Sequence, residues 1–167
     1  MTTEAKKASE SESHLTWIVT PPDLNRHGTL FGGQLLALAD RVAAMAALRH
    51  SRLDCVTVSI DKVDFVAPVH NGYILDMTAR VHFTARTSME ILVEAVAEEP
   101  RTGNRQIVCE AFFSFVAVDG DNRPTPIPPV ELETERDRRL NKEARERYEA
   151  RKAGRSKGRT AQFKRPG

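Results

Sequence analysis

The sequence holds only two cysteines, Cys55 and Cys109, in 167 residues, and neither stands in a CxxC pair or near a histidine partner. A disulfide framework and a cysteine-based zinc site are therefore excluded, and both thiols, lying in apolar runs, read as inert core residues. Long hydrophobic runs are also missing. The longest, Leu35 to Leu48, is interrupted by Asp40 and Arg41 and falls short of the ~20 apolar residues a membrane-spanning helix needs. The opening MTTEAKKASESES has two lysines with no apolar stretch behind them, so no secretory signal is expected and the chain reads as cytoplasmic. After Met1 this segment has no large apolar side chain, which predicts a disordered leader over residues 1–13, with nothing to offset the entropy of ordering.

A large charge of one sign is absent only in the total. The net of +2 conceals 12 Lys+Arg against 16 Asp+Glu in residues 1–130, and 13 against 7 in residues 131–167. Residues 131–153 read as a charged helical extension. There, Leu132, Leu140, Ala144 and Tyr148 recur at multiples of four, and Glu135/Arg139 and Glu143/Arg147 form i,i+4 pairs. Residues 154–167 contain five cations and no acid and read as a basic disordered tail. The interleaved acids of the extension suit a solvated helix, so nucleic acid is not expected as a partner.

Between these ends, residues 14–130 have the make-up of one domain. HLTWIVT, residues 14–20, is β-branched and apolar and is stopped by Pro21-Pro22. A loop rich in Pro, Asn and Gly leads into QLLALADRVAAMAALR, a run of strong helix formers from about Gly33 to Arg49 that is apolar on almost every face. Four strand-like segments follow. In Cys55–Phe65 the alternation slips phase near Asp61-Lys62, as a bulge requires. In Tyr73–Phe83 the odd positions are apolar, while Asp76, Thr78, Arg80 and His82 face the other way. Met89–Ala97 and Gln106–Val118 complete the set, the last being apolar on both parities. A strand, a buried helix and four strands joined by short turns predict an α+β fold, an antiparallel five-stranded sheet wrapped around one long central helix. This layout resembles the hot-dog fold. The sheet covers only one side of the helix, so a dimer is expected as the minimum.

Asp40 is the sharpest chemical feature, because a carboxylate in an apolar helix under a sheet is costly without a partner. It reads either as paired with Arg41 or facing a subunit seam, or as a general base or nucleophile. Just before the helix, Gly32-Gly33 lets a ligand approach unpaired backbone N–H groups at the positive end of the helix dipole, where a carbonyl gaining negative charge is stabilised. Asn25 is a second polar candidate in the loop.

Together, DLNRHGTLFGGQLLALAD resembles the active-site segment of hot-dog acyl-CoA thioesterases of the YciA and brain acyl-CoA hydrolase type, with their Asp-x-Asn-x-x-Gly loop, Gly-Gly helix start and acidic helix residue. The likeness extends through VTVSIDKVDFVAPVHNG, FTARTSMEILVEA, AFFSFVAVDGDNRPTPIPP and ELETERDRRLNKEARERY, over roughly residues 14–151. It implies hydrolysis of fatty acyl-CoA to a free acid and CoA, with Asp40 as the catalytic carboxylate. Asn25, from a neighbouring subunit, is its implied polar partner, and the N–H of Gly33, with Gly32, polarises the thioester carbonyl. Arg86, Thr87, Ser88 and Arg105 are implied at the CoA end of the site. No metal and no further cofactor is expected, CoA being part of the substrate. The implied assembly is a homo-oligomer larger than a dimer, a trimer of dimers being favoured and a tetramer staying open. Phe31 departs from the family pattern, in which a histidine often precedes the glycine pair. Two other readings stay open: a hot-dog hydratase or dehydratase, which usually pairs a histidine with its carboxylate, and a non-catalytic acyl-CoA sensor.

Overall fold

The computed structural model describes residues 4–158. In chain order its elements are β1 (Lys6–Lys7), β2 (Ser13–Ile18), α1 (Gly32–Ser51), β3 (Asp54–Phe65), β4 (Ile74–Thr84), β5 (Ser88–Glu98), β6 (Arg105–Val118), β7 (Val130–Glu131) and α2 (Glu135–Gly158). Five strands form one antiparallel sheet in the order β2-β4-β5-β6-β3. β1 and β7 pair separately in parallel.

Period-two alternation builds the core. Leu75, Met77, Ala79 and Val81 of β4, Met89 to Ala97 at odd positions of β5, and Phe113 and Phe115 of β6 are all buried in one cluster with Leu35, Leu38, Val42 and Ala46 of α1. The 3-and-4 spacing of those helix residues gives α1 a single buried stripe. The opposite side, with Ala37, Arg41 and Leu48, is exposed in the isolated chain, so the sheet covers the helix on one side only. Burial also pushes the Cys109 thiol up to about 11 and raises that of Cys55, which fits inert thiols.

The other face of the sheet carries Arg80, His82 and Glu90 and is covered by α2. Glu90 is fully buried, and its Oε1 accepts from Arg147 Nη2 at 2.6 Å and from His82 Nε2 at 3.1 Å, while its Oε2 accepts from Arg151 at 3.2 Å. Arg147 also stacks 4.1 Å over the ring of Phe112.

Two expectations at the chain ends are corrected. Within residues 4–13, Lys6 and Lys7 pair with Val130 and Glu131, Ala8 and Ser11 are fully buried, and the Ser9 hydroxyl donates to Glu133 at 2.9 Å. This segment is ordered by backbone pairing and polar bonds, so its lack of large apolar side chains does not leave it loose. Residues 1–3 lie outside the described part. The extension begins as strand β7, and its helix starts at Glu135, where Thr134 and Asp137 cap each other: the Asp137 N–H donates to Thr134 Oγ1 at 3.0 Å and the Thr134 N–H to Asp137 Oδ2 at 2.9 Å. The helix then continues to Gly158, five residues beyond the expected end, and residues 159–167 of the basic tail lie outside the described part. Arg147 turns to Glu90 on the sheet, and Glu135 pairs with Arg138 at 3.0 Å in place of Arg139. One face of α2 is thus docked, with Ala144 fully buried. Among the described residues no helix is long and apolar enough to cross a membrane.

Candidate active site

The loop from Thr20 to Phe31 is organised by Asp23, which is buried and accepts from the Thr20 backbone N–H at 2.9 Å, the Thr20 hydroxyl at 2.8 Å, Trp17 Nε1 at 3.1 Å and Gln34 Nε2 at 3.2 Å. The backbone bond from Thr20 leads these in holding the carboxyl below its ordinary value. Its own carbonyl accepts from the Phe31 N–H at 2.8 Å, which sets the entry of the chain into α1. Asn25 closes the tip of the loop. Its Oδ1 accepts from the N–H of His27 at 2.8 Å and of Thr29 at 3.3 Å, and its Nδ2 donates to Thr29 Oγ1 at 3.0 Å. Gly28 follows at φ 77, a left-handed conformation that favours glycine.

α1 then begins without a side-chain cap, because Phe31 stands at the capping position and offers no acceptor. The Leu35 N–H is bonded to the Phe31 carbonyl at 3.0 Å, which leaves the first N–H groups of the helix unpaired within it. A Cβ at Gly33 would lie 2.4 Å from the ring of Phe31, and one at Gly32 3.4 Å from the ring of Phe65. The glycine pair thus keeps the helix start bare under two aromatic rings. Beside it opens an apolar groove of about 300 Å3, lined by Leu30, Leu35, Phe65, Val66, Pro68 and Val69 among others.

Asp40 lies farther along the same helix face. Seven residues from Gly33 amount to nearly two whole turns and a rise of roughly 10 Å. The carboxylate is half-buried, and its Oδ1 accepts from Thr57 Oγ1 at 2.8 Å. No cation among the described residues pairs with it, so its partner is this hydroxyl and not Arg41. Thr57 is on β3, an edge strand with a register shift directly after it and a second between Asp61 and Asp64, where Lys62 has φ 48. The second shift is the slip read from the alternation; the first was not visible there.

Thr57 is the site residue that sequence reasoning missed. The available signal was a hydroxyl on the strand parity that faces the helix, in a stretch otherwise rich in Val and Ile. No hydrogen bond joins Asn25 to Asp40 within the chain, among the described residues. Arg86, Thr87 and Ser88 fall together at the β4–β5 turn, with the carbonyls of Arg86 and Thr87 accepting from Ile127 and Ala117. Arg105 does not join them. It pairs with Asp76 at 2.8 Å and Glu98 at 2.5 Å, and its register partner Glu98 is at the far end of β5 from Ser88, about 30 Å away at strand rise. Among the described residues no cluster of His, Cys, Asp and Glu is arranged to hold a metal.

Residues 27–104 match the family model of the thioesterase superfamily. Over 90% of this chain, the sequence is 37% identical to an uncharacterized acyl-CoA thioester hydrolase of Bacillus subtilis, covering 88% of that protein. It is 34% identical over 91% of this chain to the cytosolic acyl coenzyme A thioester hydrolase of Rattus norvegicus, spanning 40% of that longer protein's length. Among solved structures, an acyl-CoA hydrolase from Bacillus cereus is 41% identical with a TM-score of 0.86, covering 96% of this chain and 100% of that one. An acyl-CoA hydrolase from Staphylococcus aureus, solved with butyryl coenzyme A, coenzyme A and coenzyme A disulfide, is 34% identical with a TM-score of 0.85, covering 93% of this chain and 94% of that one. A hexameric acyl-CoA thioesterase is 38% identical with a TM-score of 0.85, covering 95% and 99%. The Staphylococcus aureus protein has also been solved with alanine in place of an asparagine, of an aspartate fifteen positions beyond it, and of a threonine seventeen positions beyond the aspartate. Asn25, Asp40 and Thr57 stand at the same spacings in this chain.

Proposed function

Because this chain belongs to the thioesterase superfamily, among its acyl-CoA thioester hydrolases, we propose that it hydrolyses fatty acyl-CoA to a free acid and CoA at a site centred on Asp40. The observation that carries this reading is the Asp40 carboxylate itself. It is oriented by Thr57, has no cation paired with it among the described residues, and sits on the same helix face as the bare N-terminus at Gly32-Gly33. A carboxylate so held activates water or attacks the thioester carbon directly, and the helix N–H groups receive the charge that develops on the carbonyl oxygen.

One distance determines how such a site must be assembled. A reacting carbonyl has to lie about 3 Å from both the attacking group and the oxyanion donors, whereas Gly33 and Asp40 of one chain are separated by roughly 10 Å along α1. They cannot serve the same carbonyl. Two α1 helices running antiparallel across a subunit seam would bring Gly33 and the Asn25 loop of one protomer to Asp40 of its partner. The exposed side of α1 supports such a seam, and the hexameric relative supports a homo-oligomer, with a trimer of dimers as the assembly we favour. Arg86, Thr87 and Ser88 are our candidates for the CoA end of the site. Arg105, tied to two carboxylates, contributes only if assembly brings it to a neighbour's site. We assign the reaction to the cytoplasm and give it no cofactor.

The test is thiol release from short, medium and long acyl-CoAs. Asp40→Asn is expected to lower kcat by ~10²–10⁴-fold while leaving the assembly intact. Unchanged turnover in this variant would sink the assignment. Oligomers mixed from Asp40→Asn and Asn25→Ala chains should regain part of the activity, and none regained in a confirmed mixture would count against a shared site.

A further inference from the structure

The strand that carries Thr57 is poorly fixed by its own ladder. β3 pairs on one side only, with β6, and the segment Ser59–Asp61 lies between two register shifts. A one-residue slip there would turn the side chains of that segment to the opposite face and disturb the shift that leaves Thr57 turned toward Asp40. Within one chain, a contact from outside the ladder can add to the hold on this register.

Arg151 of α2 is placed to do so. Its Nη1 donates to Asp61 Oδ2 at 2.7 Å and its Nη2 to Glu90 Oε2 at 3.2 Å. Asp61 is on the edge strand β3, while Glu90 is on the central strand β5 and fully buried. Between them, Glu90 pairs in register with Ser114 and Ser114 with Ser59, and Ser59 Oγ also donates to the same Asp61 oxygen at 2.9 Å. The guanidinium therefore spans β5, β6 and β3 on one face of the sheet. The next row, on the opposite face, is Met89, Phe115 and Thr57. Residues 57 and 61 share a parity and face opposite sides only because of the shift between Thr57 and Ser59, so holding Asp61 toward α2 holds that shift in place.

We infer that Arg151 is a positioning residue for the active site, a staple between a buried anchor on β5 and the edge strand that holds Thr57 against Asp40. The planar, two-pronged guanidinium suits this bridge, since it reaches two carboxylates at once with defined geometry. The inference rests on Asp40 being the catalytic carboxylate. It extends the machinery from the α1 face of the sheet, where Thr57 meets Asp40, to the helix on the opposite face.

Steady-state kinetics on acyl-CoA with the assembled protein test it. Arg151→Gln is expected to lower kcat roughly tenfold with KM within twofold, because misplacement by about 1 Å is costly at a reacting centre. Arg136→Gln, which removes the Glu94 pair of the same helix without reaching β3, should leave kcat unchanged. In a Thr57→Ala background, Arg151→Gln should cost less than a further twofold. Should Arg151→Gln fail to assemble, Asp61→Asn releases β3 while leaving the Glu90 pairs intact and carries the same expectations. The inference is overturned if kcat stays within twofold of the parent, or if the loss recurs in full without Thr57. Amide exchange separates this failure from that of the Asp40 assignment. Arg151→Gln must speed exchange over residues 57–61 relative to Arg136→Gln, and equal exchange removes the staple whichever carboxylate proves catalytic.

Discussion

The two faces of the sheet are built from the same strands and held by different physics. Toward α1, alternate residues of β4, β5 and β6 form an apolar layer in which the stabilising term scales with buried area and tolerates small displacements. Polar chemistry enters at its margins, where Thr57 meets Asp40 and where the buried His50 at the end of α1 lies 3.0 Å from the Pro128 carbonyl. Toward α2, the intervening residues place a fully buried glutamate beneath two arginines and a histidine, an arrangement whose value depends on each bond being made. The Leu92 N–H donates to His82 Nδ1 at 3.1 Å, which leaves Nε2 to donate to Glu90. Burial alone would push the Glu90 carboxyl up, but the bonds from His82 and Arg147 outweigh it and hold the carboxyl below its ordinary value. One face supplies bulk stability, and the other supplies fixed geometry.

Substitutions on the two faces should separate these roles. Phe113 is fully buried on the α1 face, and Phe113→Ala is expected to cost ~4 kcal/mol in denaturant unfolding. Glu90→Gln breaks the paired cluster on the other face. Removing one partner of a buried pair costs ~3–5 kcal/mol, but Arg147 and Arg151 keep about a quarter of their side chains exposed and regain water, so ~2 kcal/mol is expected. Turnover should reverse the ranking. Measured well below each unfolding transition, kcat should fall further in Glu90→Gln than in Phe113→Ala. A Phe113→Ala variant that loses turnover as steeply would break the distinction.

The sequence was legible where the interaction is local or periodic. Tyr73–Phe83 alternates cleanly, and the observed strand, Ile74–Thr84, buries the predicted parity. The glycine pair and Asp40 stood out because they interrupt a helical pattern. Two features were hidden because their partners are distant in the chain. Ser9 orders the N-terminal segment by bonding Glu133, 124 residues away, and Arg147 reaches Glu90 across 57 residues. Charge spacing along α2 offered Arg147 a nearer partner, Glu143, and nothing in the sequence marked the buried alternative. Thr57 was concealed by the register shift beside it, which the counted alternation did not show. Arg105 illustrates the converse: a family-like position gave it a role that the strand register does not bring within reach of Ser88 in one chain.

The smallest expected effect is the most specific to the α2 face. Because the Glu90 carboxyl is held below its ordinary value of 4.5 in the folded chain, the unfolded state binds more protons than the folded state just below that pH. The stabilisation is fully present above pH 4.5 and is lost as pH falls through the folded value. Other carboxylates contribute to the same slope, Asp137 among them, also held low, so the informative quantity is a difference between variants. Glu90→Gln should flatten the dependence of unfolding free energy on pH below 4.5 by less than one proton's worth of slope. Phe113→Ala should give a curve displaced downward but parallel to the parent. Parallel curves for both variants would mean that the glutamate is no more charge-stabilised in the folded chain than in the unfolded one, and the contrast between the two faces would reduce to a difference in packing.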